Sequence, residues 1–530
     1  MKIGSWYTSS SHTGFPFGQH LQDFPAIADN GLLLFSWILV RITNSPVLAF
    51  NAFYLSTYFL NAIGGYVGAR WSQVSRVRSI AIATLFAFLP FHFLQGPGHI
   101  FLVMYPLIPV MIGWTNREVR RKDSHITAWT IRDFLQPVIL GVVVATSGLY
   151  YSIFVLIILL WSFIQIWSSS TLQRALRVIV ATGTICVVIV FQFVPIVLFQ
   201  LKNGSNLEIA KRHAFEVEYY SLRLIDLLLP IPQHRIGALA SLSAKGASNF
   251  IPGESSEFLG LLGSIGVLLL IASIFLSRSR FERFHRLKSE SQIFLFLFLF
   301  STVGGIDQIL ATFGFVQVRV WSRVSIAIGF LALIAVFKWF DEWKPKRRWG
   351  REGAVLALMM LCVTSILDTN PSFNGSSYRA ISNEWHNDRQ VVSQISKTFG
   401  PGARVLEVPN TRFPEQGPIN GLEDYAQIRG YLHSTSLCWS YGVVTGRDNS
   451  RRAIIKTGSA QEFVRVANRE AFDVIWVERR AFSDSGAQLV EDFTQLLGPP
   501  LFSDRLNHVA IFDASPGNSS KRAECHKEGY

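Results

Sequence analysis

Long apolar runs alternate with short polar gaps through the first 370 residues, and beyond that point the pattern changes. A membrane-spanning helix needs ~20 mostly apolar residues. Runs near 46–70, 77–95, 99–115, 132–148, 150–168, 176–201, 258–277, 291–311, 322–340 and 353–369 come near that length, which predicts about ten spans. Those near 99–115 and 132–148 are the weakest, since each is short and contains proline. An earlier run, 31–42 (GLLLFSWILVRI), is shorter still and is interrupted by Arg41, so it reads as an interfacial or re-entrant helix. After residue 370 the apolar positions fall into brief strand-like runs at 403–408, 472–477 and 509–512, with helical patterns at 388–399 and 460–470 between them. That mixture predicts an α/β domain, and at about 160 residues it is large enough to bury a core of its own. The expected fold class is an α-helical polytopic membrane domain followed by a C-terminal extracytoplasmic α/β domain. The expected divisions are an N-terminal segment, 1–45, a membrane domain, 46–370, with a long outer loop at 202–257, and the tail, 371–530.

Charge orients these elements. Basic clusters at Arg70/Arg76/Arg78, Arg117/Arg120/Arg121/Lys122, Arg174/Arg177, Arg278/Arg280/Arg283/Arg286/Lys288 and Lys344/Lys346/Arg347/Arg348/Arg351 occupy every second gap. Short loops rich in Lys and Arg stay on the cytoplasmic side. Residues 1–45, the gaps 95–99 and 147–151, the loops 202–257 and 303–321, and the tail are therefore expected outside. A hydrophobic content of 49%, with 42 Phe and 14 Trp, fits a membrane protein better than a soluble enzyme. The net charge of +13 lies largely in juxtamembrane loops and forms no basic face with interleaved aromatics, so nucleic acid is not an expected partner. Cys186 and Cys362 fall inside apolar runs, while the spacing of Cys438 and Cys525 permits a disulfide without implying one. No cleavable signal peptide is visible at the N-terminus. Nucleotide-binding, serine-hydrolase and zinc-protease motifs are also missing, which argues against ATP-driven transport by this chain.

Four clusters could carry chemistry on the expected outer side. Asp23 and Asp29 precede the first apolar run, where a carboxylate serves as a general base, a metal ligand or, for Asp29, a helix cap. His92 and His99 flank a Gly/Pro turn at a membrane boundary, a setting for phosphate or sugar recognition as well as for plain hydrogen bonding. Glu254 and Glu257 close a loop that also contains Arg212, His213, Glu216, Glu218, Tyr219, Tyr220, His234 and Arg235, the side-chain types of a carbohydrate-binding wall. Arg319 and Arg323 begin a span, where a guanidinium either pairs with phosphate or snorkels to the interface.

The segments FPFGQHLQDFP, SPVLAFNAFYLSTYFLNA, FAFLPFHFLQGPGHIFL, GLYYSIF, LRLIDLLLPIPQHR, GESSEFLGLLG and VRVWSRVSI, continued by VPNTRFPEQGP, DYAQIRGYLHSTSLCWSYGVVTGR and FDVIWVERRAF, cover nearly the whole chain. Together they resemble a family of bacterial polytopic membrane proteins described as sugar translocase-like or GT-C-like glycosyltransferases. The resemblance implies a bacterial inner-membrane protein with an extracytoplasmic tail. Such a protein would take a sugar from a polyprenyl-phosphate-type lipid donor and pass it to an envelope glycan or lipid. It also implies Asp23 as the catalytic carboxylate, His92 and His99 on the donor side, and Arg319 or Arg323 as a phosphate clamp. A divalent metal ion is allowed as cofactor. Relatives of this kind carry a further span and an acidic motif ahead of the segment where this chain starts. A non-catalytic transporter or flippase of a lipid-linked sugar, or a polysaccharide-assembly scaffold, remains an alternative. Transport favours charged residues near mid-bilayer, and the runs here hold almost none.

Overall fold

A computed structural model describes residues 9–23, 29–121, 130–168, 172–209, 211–249, 254, 256–276, 282–340, 348–370, 375–447, 458–515 and 525. The chain divides into two compact units. One comprises Ala26–Val194 and Arg212–Ser372, the other Met1–Pro25, Pro195–Lys211 and Phe373–Tyr530.

Among the described residues six helices are long and apolar enough to cross a membrane: Pro46–Trp71, Arg76–Gln95, Leu149–Trp167, Ala175–Asn203, Trp321–Trp339 and Glu352–Thr369. The chain is a multi-pass membrane protein. Helices also form within the other four predicted runs, but they are shorter: Leu107–Arg120, Ile131–Ala145, Gly260–Leu276 and Lys288–Ser301. Local chemistry explains the shortening. The run near 99–115 opens in a one-turn helix, Pro97–His99, and only regains helical form after Pro106. The run near 291–311 breaks at Gly304, whose φ of 76° is left-handed. The segment predicted at 31–42 is helical over Asn30–Thr43, exposing Leu34, Ile38 and Ile42 along one face and burying Leu32 and Leu33.

The helix Ser325–Trp339 forms the centre of the membrane unit, with every side chain from Ser325 to Phe337 buried. Glu352–Thr369 is its opposite, presenting Leu356, Met359, Met360 and Val363 outward. An exposed face so apolar is stable in lipid rather than in water. Packing elsewhere depends on small residues. A Cβ placed on Gly64 would lie 2.2 Å from the Pro106 carbonyl oxygen, and one on Gly68 would lie 2.1 Å from that of Pro109. Two glycines four apart let the backbones meet closely, the usual means of joining helices in a bilayer.

The other unit is built on a five-stranded sheet. Its strands are β3 (Arg404–Val408), β4 (Cys438–Trp439), β5 (Val474–Glu478), β6 (Phe502–Ser503) and β7 (Val509–Asp513), in the order β4-β3-β5-β7-β6. The pairs β3–β4 and β3–β5 are parallel, while β5–β7 and β6–β7 are antiparallel. Strands buried on both faces must be apolar at consecutive positions, and β5 is. Val474 and Trp476 pack with Val391, Ile395 and Phe399 of the helix Gly375–Phe399, whereas Ile475 and Val477 pack with Phe463 and Phe493 of Ala460–Arg469 and Ala487–Leu497. Three of the strands and two of the helices fall where the sequence pattern places them. The N-terminal segment adds a small hairpin, β1 (Ser9–Ser10) with β2 (Gln19–His20), and runs beside β4. The Trp439 amide donates to the His12 carbonyl at 2.9 Å, the Phe15 amide donates to the Trp439 carbonyl at 2.9 Å, and the Phe15 ring stands edge-on to Phe472. Cys438 and Cys525 form a disulfide.

Candidate functional site

The site of greatest chemical interest lies in the membrane unit, where the starts and ends of helices meet three connecting segments. Arg323 belongs to a single helical turn, Trp321–Val324, that leads into the buried helix Ser325–Trp339. Its Nε donates to Glu254 Oε2 at 3.1 Å and its Nη2 to Glu254 Oε1, a two-pronged ion pair. Gln95, ending the helix Pro90–Gln95, donates to the same Glu254 Oε2 at 3.0 Å and to Ser256 Oγ at 3.4 Å. The guanidinium also lies over the Tyr150 ring, 4.6 Å from its centre. Arg323 is 8% exposed, so these partners meet most of what a buried cation requires. Its Nη1 makes no hydrogen bond among the described residues and remains available to a ligand.

His99, on the exposed Pro-Gly turn, is held below its ordinary range by desolvation and by the charge of Arg323, with Glu254 opposing. The three residues are therefore electrostatic neighbours. Arg319, one turn earlier, pairs with Glu216 at 3.4 Å and stacks over Tyr220. Glu257 is 2% exposed, its Oε1 has no partner among the described residues, and burial pushes its carboxyl up to about 7.

Asp29 completes the cluster. It stands at the N-cap position of Asn30–Thr43, yet its side chain makes no cap hydrogen bond, so the capping role open to it in the sequence is not used. Burial pushes its carboxyl up to about 7. The Gly31 amide donates to the Thr146 carbonyl at 2.8 Å, which fixes this helix start against the turn before Leu149. Gly148 has φ of 118°, and a Cβ there would meet Asp29 Oδ1 at 3.5 Å and the Tyr151 ring at 3.4 Å. The turn that holds Asp29 thus also supplies Tyr150, the platform beneath Arg323.

Two predicted residues lie elsewhere. His92 is fully buried in the helical core. There Thr57 Oγ1 at 3.1 Å, Asn61 Nδ2 at 3.4 Å and the Tyr105 hydroxyl at 3.4 Å surround its ring nitrogens, and Tyr58 packs against its face. Asp23 belongs to the other unit. Arg447 engages both of its oxygens at 2.6 Å, and Asn206 adds a third donor at 3.3 Å. The described loop residues His234 and Arg235 hold the loop to the end of Arg348–Thr369, through the Asp368 carboxylate at 3.1 Å and the Asn370 carbonyl at 3.2 Å. Sequence reasoning missed Gln95, Tyr150 and Ser256 as members of the cluster. Only the Gly-Leu-Tyr-Tyr turn at a helix start was there to be noticed.

Among the described residues no three His, Cys, Asp or Glu side chains are grouped as ligands for a metal ion. No family model matches the chain, and neither does any curated protein. Among solved structures it is similar to the Archaeoglobus fulgidus oligosaccharyltransferase, determined in complex with zinc and sulfate, at 14% identity and a TM-score of 0.42. The match covers 89% of this chain and 61% of that enzyme, so the chain spans less than two thirds of its length.

Proposed function

We propose that this protein is a membrane glycosyltransferase that moves a sugar from a lipid-phosphate donor to an envelope glycan or lipid at the outer face. The observation that carries the reading is a buried guanidinium and an unpaired carboxylate on either side of one turn. Arg323 is fixed by Glu254, Gln95 and Tyr150 with one nitrogen unused, while Asp29 has no polar partner among the described residues and titrates near neutrality. Transfer from a phosphate leaving group needs cations where negative charge develops and a base for the acceptor hydroxyl. Arg323, Arg319 and His99 would hold the phosphate. Asp29 would take the hydroxyl proton as the acceptor oxygen attacks the anomeric carbon and the sugar–phosphate bond breaks, with inversion. In this proposal Asp29 replaces Asp23 as the base, because Arg447 already occupies both oxygens of Asp23. Each of these steps is written with the chain's own residues.

The disulfide between Cys438 and Cys525 supports an extracytoplasmic tail, since such bonds persist in oxidising compartments. The test is reconstitution of the full chain in liposomes with radiolabelled polyprenyl-phosphate sugar and an envelope acceptor fraction. Transfer of label to acceptor supports the enzyme, and Arg323→Lys should lower its rate at least about tenfold by removing the two-pronged contact. Label that crosses the bilayer without joining acceptor would make the protein a flippase. The absence of both would favour the scaffold.

A further inference from the structure

We propose a second binding site, for a phosphoryl anion, on the face that the charge pattern places inside. A cavity of about 650 Å³ opens there, lined among the described residues by Arg70, Arg117, Arg120, Arg121, Arg132 and Arg177 and by two carboxylates, Glu118 and Asp133. These side chains converge from the end of Pro46–Trp71, the end of Leu107–Arg120, the first turns of Ile131–Ala145 and the helix Leu172–Asn203.

The carboxylates are already committed. Glu118 pairs with Arg177 at 3.0 Å and with Arg121 at 3.7 Å. Asp133 caps its own helix through Thr130 and also pairs with Arg121 at 3.4 Å and with Arg177. Arg121 and Arg177 therefore form a neutralised floor. The other four guanidiniums have no carboxylate within ion-pair distance among the described residues. Two of them are aimed by backbone acceptors, Arg70 by the Val74 carbonyl and Arg120 by the Trp71 carbonyl at 2.6 Å. Arg117 and Arg132 are exposed at the mouth.

Like charges gathered around one cavity repel unless an anion joins them, and the arginine fork matches phosphate oxygens two at a time. The volume lies within the range of small-molecule sites, about 300–1,000 Å³, and exceeds what a lone ion would fill. A basic pocket between membrane helices on the cytoplasmic side suits the headgroup of an acidic phospholipid, and the same chemistry would accept a soluble diphosphate. Arg323 and its neighbours take no part, so this site stands or falls separately from the proposed transferase centre.

The test uses the full chain in nanodiscs. In one arm, pyrophosphate is titrated calorimetrically into phosphatidylcholine discs. In the other, native mass spectrometry counts phosphatidylglycerol molecules retained after detergent extraction. Arg117→Gln with Arg132→Gln should weaken whichever ligand binds by about tenfold or more, the worth of one or two charge-assisted hydrogen bonds, whereas Arg76→Gln, which does not line the cavity, should leave it unchanged. Saturable pyrophosphate binding at one per chain identifies a soluble anion, and one phosphatidylglycerol retained per chain identifies a headgroup. On the unmodified protein, either ligand should also protect Arg117 and Arg132 from phenylglyoxal, read by peptide mass spectrometry, whatever the folding of the variant. Binding of neither ligand, or binding without protection of these arginines, would overturn the proposal.

Discussion

Asp29 and Asp23 are six residues apart and of one chemical type, yet their surroundings separate them. Asp23 holds Arg447 in place, and Asp29 has burial without a counter-charge. As the base, Asp29 must be ionised, so transfer should rise with pH through about 7, and Asp29→Asn should abolish that limb with at least a ~10²-fold loss of rate. Asp23→Asn should instead act on stability, leaving the pH profile of any remaining activity in place. The linkage sign runs the other way from activity. A carboxyl raised from 3.8 to about 7 keeps its proton in the folded chain where the unfolded chain has lost it, so its contribution to stability falls as pH rises across that window. Glu257 is shifted in the same direction, so the difference between Asp29→Asn and the native chain in melting temperature at pH 5 and pH 8 is the useful measurement. Arg323, Glu254 and His99 could be suspected from sequence because ionisable groups at a membrane boundary are conspicuous. Their pairing could not be read there, because 69 residues separate Glu254 from Arg323. His92 was equally conspicuous but proved to be a core residue, since no sequence pattern reveals that Thr57, Asn61 and Tyr105 already satisfy it.

At the scale of elements, periodicity made most helices and the three long strands legible, because each buries a continuous apolar face. It overestimated length wherever a turn was built from apolar residues, as between His99 and Pro106. Short strands also escaped it. β4 has two residues, and its place at the sheet edge is secured by backbone bonds from the N-terminal segment, which covers an edge that would otherwise be open to pairing. A close helix contact depends on what glycine lacks. Gly68 lies against the Pro109 backbone, which has no flexible end to move aside. Gly68→Val should therefore destabilise the chain by at least about 2 kcal/mol, or prevent folding. Gly183→Val, on a membrane helix where a Cβ would meet nothing within 4 Å, should stay within about 0.5 kcal/mol. Thermal unfolding of both variants in the same detergent gives the comparison. Equal melting temperatures would remove close packing at Gly68 from the account.

For the whole molecule, the alternation of basic gaps predicts that the Arg323 cluster and the arginine cavity face different sides of the bilayer, and the proposed ligand of each depends on that prediction. It is directly testable. With Cys186 and Cys362 replaced by alanine, single cysteines are introduced at Gly98, an exposed position beside His99, and at Glu282, an exposed position in a basic gap. In right-side-out vesicles a membrane-impermeant maleimide should label Gly98→Cys at once and Glu282→Cys only after the bilayer is opened. Cys438 and Cys525 should stay unreactive until an impermeant reductant is added from outside, and then react together. Labels in the reverse order would turn the protein over. The Arg323 cluster would then face a compartment rich in nucleotide-activated sugars, and the case for a lipid-phosphate donor taken at the outer face would fail with it. The order of labelling thus tests the donor class before any substrate is in hand, because only an outward cluster is cut off from soluble activated sugars.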